Sequence, residues 1–356
     1  MTPELPEPIA PAPPASPLAV AILGSGRMAE VHAAALAANP RFGRLVAVHG
    51  RNAPAAKKLA KAHGARATSE LAEVLADPLV QAVVIATPTL THRSLVQSAL
   101  DAGKHVLVEK PLALSSAEAG EIVRAAEAQE RVVMVAHCVR WFHEVQALLG
   151  KLEQIGRPRV ARASRVAGNP GGWYIDAQQS GGICFDLMVH DFDLLLWWFG
   201  AVERVHALAA SRDAKYPEMY AQVVLRHTSG VLSYVEGSWL HPDGFATRVE
   251  LAGAEGLLRF EMPETKPLRF VPLAEKKAKK QGAEIPESPF RRSPYELQME
   301  AFLAAAICGA PAPVSARAGF EAVAVAEAAR ASIASGQPCR PAAMPSSPRA
   351  RKGARS

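Results

Sequence analysis

Residues 18–36 read LAVAILGSGRMAEVHAAAL: six apolar residues, then Gly24-Ser25-Gly26-Arg27-Met28-Ala29, then a stretch with helical periodicity. A continuous apolar run bounded by glycine is a strand buried on both faces. A G-x-G-x-x-A pattern between such a strand and a helix is a phosphate-binding turn in the setting that gives the motif meaning. Gly24 permits the tight turn, Gly26 lets the backbone approach a pyrophosphate, and Ala29 is small enough for the helix to pack on the sheet. Arg27 and Met28 open that helix, whose first N–H groups then face the anion.

Outward from this stretch the alternation continues. Apolar runs at 45–48, 82–87, 105–110 and 131–137 are separated by amphipathic segments at 27–38, 53–63, 69–76, 90–102 and 115–129. Strands alternating with helices predict an α/β fold with a doubly wound parallel sheet over 18–139. After residue 140 the period changes. A helical piece at 141–155 leads into RVARASRV, YAQVVLRH, VLSYVEGSW and RVELAGAEGLLRF, which alternate with period two. These predict a second α/β domain over 140–338, with a mostly antiparallel open sheet buried on one face. Residues 263–293, rich in Lys and Pro, read as an exposed excursion, and helices at 294–308 and 315–335 close the chain. A proline-rich arm (1–17) and a basic tail (339–356) should be extended or disordered.

Composition narrows the function classes. A length of 356 residues fits two domains, and 49% hydrophobic with 6% aromatic residues means an aliphatic core and excludes global disorder. Forty Lys and Arg against 34 Asp and Glu give +6, but Arg340, Arg349, Arg351, Lys352 and Arg355 all lie at the acid-free C-terminal end. No aromatics interleave those charges, so no nucleic-acid partner is expected. Cys138, Cys184, Cys308 and Cys339 form no C-x-x-C pair, as free thiols in a reducing cytosol would. The acidic, proline-rich start is unlike a secretory signal and no apolar run is long enough to cross a bilayer, so a cytoplasmic protein without a membrane partner is expected.

A dinucleotide site usually carries Asp or Glu at the end of the second strand to hold the ribose 2′-hydroxyl. Here that strand ends His49-Gly50-Arg51-Asn52, and no acid occurs between Glu30 and Glu70. A carboxylate would repel a 2′-phosphate and a guanidinium would grip one, so Arg51 tilts the expected cofactor to NADP over NAD. A solvated Arg51 beside a site that takes either cofactor is the alternative.

The fifth strand ends Glu109-Lys110-Pro111, at the carboxyl edge where open α/β sheets bind ligands, with Pro111 holding Lys110 extended. Further on, in the apolar stretch 181–199, Asp186, His190 and Asp193 fall at i, i+4 and i+7, on one face of a single helix. Buried ionisable groups cost several kcal/mol unless paired or used, so the stripe reads as an acid/base site, a structural hydrogen-bond network or a metal site. Metal is disfavoured, because one His with two carboxylates offers no tetrahedral cage. Trp173 and Tyr174, in the Gly-rich loop before this helix, are candidate substrate contacts, as a lid or as packing.

Together AILGSGRMAEVHAAAL, AVVIATPTLTH, AGKHVLVEKPLAL, SGGICFDLMVHDFD and GSWLHPDGF make the chain resemble the glucose-fructose oxidoreductase, inositol dehydrogenase and rhizopine-catabolism (Gfo/Idh/MocA) superfamily, from Leu18 to about Pro338. The resemblance implies a Rossmann domain followed by an α/β domain whose open sheet forms an interface in a homodimer or homotetramer. It implies catalysis by Lys110, Asp186 and His190, a substrate contact at Asp193, and a turn near the nicotinamide at Thr87, Pro88 and His92, with Glu109 also at the cofactor. The frequent Asp of the family is Gly50 here, which weakens NAD and not the fold. The expected activity is hydride transfer between the nicotinamide and a secondary alcohol or carbonyl carbon of a sugar-, inositol- or dihydrodiol-like substrate. The rivals are a dinucleotide-sensing regulator without turnover and a glycosidase that keeps its NAD resident.

Overall fold

In a computed structural model, residues 14–211, 218–242, 244–262 and 292–344 are described. The arm over 1–13, the excursion over 263–291 and the tail over 345–356 lie outside them.

The first sheet is parallel throughout, in the order β3-β2-β1-β4-β5-β6. Its strands are β1 (Leu18–Leu23), β2 (Gly43–His49), β3 (Arg66–Thr68), β4 (Ala82–Ile85), β5 (His105–Val108) and β6 (Val133–Val135). All six residues of β1 and all four of β4 are buried, as central strands covered on both faces must be. The crossovers are α1 (Arg27–Ala37), α2 (Ala53–Ala62), α3 (Leu71–Ala76), α4 (His92–Asp101) and α5 (Ser116–Ala128). Chain order reverses between β1 and β4, and the carboxyl edge beside that point is where such a sheet opens a ligand crevice.

A 3-10 turn (Cys138–Trp141) and α6 (His143–Leu149) lead into the second sheet, ordered β12-β11-β7-β10-β9-β8. It comprises β7 (Pro158–Val166), β8 (Val202–Ala210), β9 (Tyr220–His227), β10 (Leu232–Ser238), β11 (Ala246–Gly253) and β12 (Leu257–Met262). Every pairing is antiparallel except β7 with β10 at the centre. Burial alternates along β9 and β10, so one face is covered and the other is open. Between β7 and β8 lie α7 (Ala177–Ser180), α8 (Ile183–Asp186) and α9 (Val189–Phe199). The chain closes with α10 (Pro294–Cys308) and α11 (Ala316–Ser335).

The two domains separate in chain order more cleanly than in space. Helix α10 packs on α1, and α11 packs on α5 and β6 on one side and on β8, α8 and α9 on the other. Ser315 also bridges to Met134 of β6. Residue 339, assigned from sequence to the free tail, is hydrogen-bonded: Cys339 and Val205 of β8 exchange two backbone bonds of 2.8 Å. The order therefore runs past Pro338. Among the described residues no helix is long and apolar enough to cross a membrane.

Candidate active site

The phosphate end of the crevice rests on two glycines. Gly24 has φ +128°, and a Cβ there would lie 2.3 Å from the Ala86 carbonyl oxygen at the end of β4, so only glycine lets the first turn pass. At Gly26 a Cβ would meet nothing within 4 Å, because this residue borders open space. Gly26 is also the N-cap of α1 and no side chain caps the helix, which leaves the N–H groups of the first turn for an anion. A pyrophosphate fits this cradle. The cavity before it measures about 840 Å³ and reaches Arg27 and Met28 at the helix start, Thr87 and Pro88 after β4, and Glu109 and Lys110 after β5. Ala29 is fully buried beneath it and serves packing alone.

At the far end His49, Gly50, Arg51 and Asn52 form the wall. A Cβ on Gly50 would lie 2.7 Å from Ser25 Oγ and 2.9 Å from Ser25 Cβ, so Ser25 occupies the space a carboxylate at position 50 would need. Arg51 is exposed at the rim, and among the described residues no acid borders the cavity there.

The chemical end lies at the junction of the domains. Lys110 Nζ donates to Asp186 Oδ1 at 3.0 Å and to the Asp186 carbonyl oxygen at 2.7 Å, with both side chains 17% exposed. Burial pulls the Lys110 pKa down, but the charges of Asp186 and Glu109 outweigh it and the net shift is upward, so this lysine is an ammonium. Trp173 and Tyr174 are stacked at 4.2 Å and line the same cavity beside Asp186. His190, on α9, is half-buried and is not among the residues that line the cavity. Burial, then the charges of Lys110, Arg165 and His137, push its pKa well below the ordinary 6.5. Its Nδ1 is buried with no hydrogen-bond partner.

Several sequence expectations need correction. Asp186, His190 and Asp193 do not share a helix, because the helix is interrupted at Leu187–Met188: Asp186 ends α8, while His190 and Asp193 belong to α9. Asp193 does not face the cavity. Both its oxygens accept from Arg140, at 2.7 and 2.6 Å, and its side chain is 2% exposed. The neighbouring Asp191, not singled out from the sequence, accepts in the same bidentate way from Arg165 at 2.8 and 2.8 Å. His92 lies under the crevice, its ring nitrogens each 3.0 Å from a carbonyl oxygen, those of Pro111 and Thr87. It ties the turn after β4 to the turn after β5 and does not line the cavity.

Sequence reasoning also passed over His32. Its Nε2 lies 2.7 Å from Glu109 Oε1, and it is fully buried. The available signal was a lone histidine on the otherwise apolar face of the helix that follows the phosphate turn.

A Rossmann crevice with a glycine cradle, closed at its chemical end by a lysine-carboxylate pair from two domains, defines a dinucleotide-dependent oxidoreductase. Comparison with known proteins agrees. Residues 18–137 match the oxidoreductase family with the NAD-binding Rossmann fold, and residues 142–259 match the GFO/IDH/MocA C-terminal domain. The chain belongs to the Gfo/Idh/MocA family. It is 32% identical over 210 residues to an uncharacterized oxidoreductase of Synechocystis sp., covering 56% of each chain. It is 30% identical over 246 residues to the scyllo-inositol 2-dehydrogenase (NAD(+)) of Bacillus subtilis, covering 66% of this chain and 71% of that one. The crystal structure of GenD2 from gentamicin A biosynthesis in complex with NAD superposes with a TM-score of 0.82 at 28% identity, over 94% of this chain and 99% of that one.

Proposed function

We propose that the enzyme moves a hydride between a nicotinamide, NADP in preference to NAD, and a secondary alcohol or carbonyl carbon of a polyhydroxylated, sugar- or inositol-like substrate. The observation that carries this reading is the Lys110–Asp186 pair at the mouth of the glycine-cradled crevice, with His190 near enough to feel the Lys110 charge. When bound, the nicotinamide supplies the hydride donor or acceptor. The chain does the rest. Lys110 donates a hydrogen bond to the reacting oxygen and stabilises the charge that develops on it. His190, held neutral by desolvation and the positive charges around it, takes the hydroxyl proton during oxidation. Asp186 holds Lys110 in place, and Trp173 with Tyr174 keeps water from the oxygen.

The names of relatives support the substrate class, and the Arg51 rim with Gly50 behind it supports NADP. The oligomer belongs to the same proposal. Leu208, Val224, Leu232 and Leu257 stand out from the uncovered face of the second sheet, 44 to 60% exposed, as an interface between copies would require. A screen of inositols, aldoses and dihydrodiols with both cofactors, read by nicotinamide absorbance, tests the reaction. Reduction of NADP by a polyol is the expected outcome. Preference for NAD would overturn the cofactor assignment, and a resident cofactor with no net reduction would favour the glycosidase. Sedimentation of the protein tests the interface, with a dimer or tetramer expected.

A further inference from the structure

We propose that His32, on α1, is a positioning residue that sets Lys110 through the carboxylate of Glu109. This rests on the catalytic reading of Lys110. The geometry is a short chain of contacts. His32 Nε2 donates to Glu109 Oε1 at 2.7 Å, and Glu109 Oε2 accepts from the Lys110 backbone N–H at 3.1 Å. Lys110 Nζ then reaches Asp186 across the domain junction. One end of this chain is a helix of the first domain and the other is a carboxylate of the second.

The orphan nitrogen of His32 settles the direction of the first bond. Nδ1 is buried with no partner. A bare lone pair in that position costs less than an unpaired buried N–H, so the ring carries its proton on Nε2 and gives it to Glu109. Burial pushes the Glu109 carboxyl up, but the hydrogen bond from His32 and the positive charge of Lys110 bring it below the usual range. Glu109 is therefore a carboxylate, and a second negative charge stands beside the ammonium.

The groups around the pair leave this task to His32. Lys110 also feels Asp186 from α8, Tyr174 from the loop before it, His190 from α9, and His137 and Cys138 after β6. None of these hydrogen-bonds the Glu109 carboxylate. His92 has both ring nitrogens turned to carbonyls and not to Glu109, and Tyr295 stands edge-on to the His32 ring at 6.4 Å. Among the described residues no other side chain donates to Glu109.

Two readouts test the inference. The first is competitive acetylation of the protein without added cofactor, using acetic anhydride across a pH series and reading modification at Lys110 by peptide mass spectrometry. With Glu109 unsupported its charge is lost or displaced, the Lys110 pKa falls, and more free amine is present at mildly alkaline pH. His32→Leu should acetylate about 5- to 10-fold faster there, a shift of up to about one pH unit. His32→Gln, whose amide still donates, should return to within about twofold of wild type. The second readout is turnover of whichever polyol the cofactor screen shows active, with myo-inositol first. His32→Leu should lower kcat about 10- to 100-fold, the scale of a misplaced catalytic group, while cofactor affinity changes little. An unchanged Lys110 profile in a folded His32→Leu protein, or equal defects in the Leu and Gln variants, overturns the inference. Lys110→Ala with near-wild-type turnover overturns the reading of Lys110 instead, and the acetylation arm still reports on the His32–Glu109–Lys110 chain.

Discussion

Lys110 and His190, the proposed catalytic groups, come from different domains, so each can be removed without dismantling the dinucleotide cradle. Lys110→Ala and His190→Ala should each lower kcat by about 10²- to 10⁴-fold with cofactor affinity nearly unchanged. Steady-state kinetics alongside cofactor titration checks this, and near-wild-type turnover in either variant removes that residue from the mechanism. Since burial holds His190 neutral below the ordinary histidine range, alcohol oxidation should persist to a pH well under 6.5 before its acid limb begins. Asp193 makes the opposite kind of prediction. Asp193→Asn leaves Arg140 buried beside a neutral amide and should cost about 3 to 5 kcal/mol of stability, read by denaturant melts. The KM of the surviving enzyme should not move, whereas a raised KM with full stability would restore the substrate contact expected from the sequence. Local spacing made Gly24, Gly26 and the Glu109-Lys110-Pro111 turn legible, because a motif within one turn needs no knowledge of the rest of the chain. The partner of Asp193 lies 53 residues away, and only tertiary packing selects it.

In the proposed reading, the turn from β2 to α2 is the element that selects the cofactor. Arg51→Ala should weaken NADP binding by about 1.5 to 3 kcal/mol and NAD binding little, as titration of both will show. Equal losses would assign Arg51 to folding. Introducing the acid that this turn lacks is expected to fail as a route to NAD: in Gly50→Asp the new Cβ strikes Ser25, so both cofactors should bind more weakly and the melting temperature should fall. Most elements were readable from periodicity, β1 and α10 to their end residues. The missed strands have physical reasons. β3 is three residues long, too short to show a period, and β8 exposes Leu208 while an alanine takes the inward position beside it, which blunts the alternation. The break at Leu187 was invisible because the residues around it, Phe185 to Val189, suit a continuous helix as well as two short ones.

For the whole molecule, histidines held from water should shape the response to acid. His92, His137 and His190 all have pKa values lowered first by burial, so the unfolded chain takes up protons below the ordinary 6.5 that the folded chain refuses. Their contribution is complete above that pH and is lost as pH falls beneath it, at up to about 1.4 kcal/mol per pH unit for each proton. Urea melts at pH 7.5, 6 and 5 (assay choices of roughly even spacing) should show stability dropping by more than one proton's slope, and a flat profile would refute the idea. The two-domain plan was legible because the period of the sequence changes at about residue 140. The joining role of the last helices was not, since their apolar faces name no partner.

That joining has a consequence during synthesis. The outer edge of β6 is completed by residues 314–315, and α1 and α5 are covered by α10 and α11, so the first domain is finished by segments made long after it. A ribosome releasing this chain exposes the nucleotide-binding half with an open strand edge and bare helix faces while some 170 further residues are translated. Chaperone dependence should therefore fall on the N-terminal half of the nascent chain.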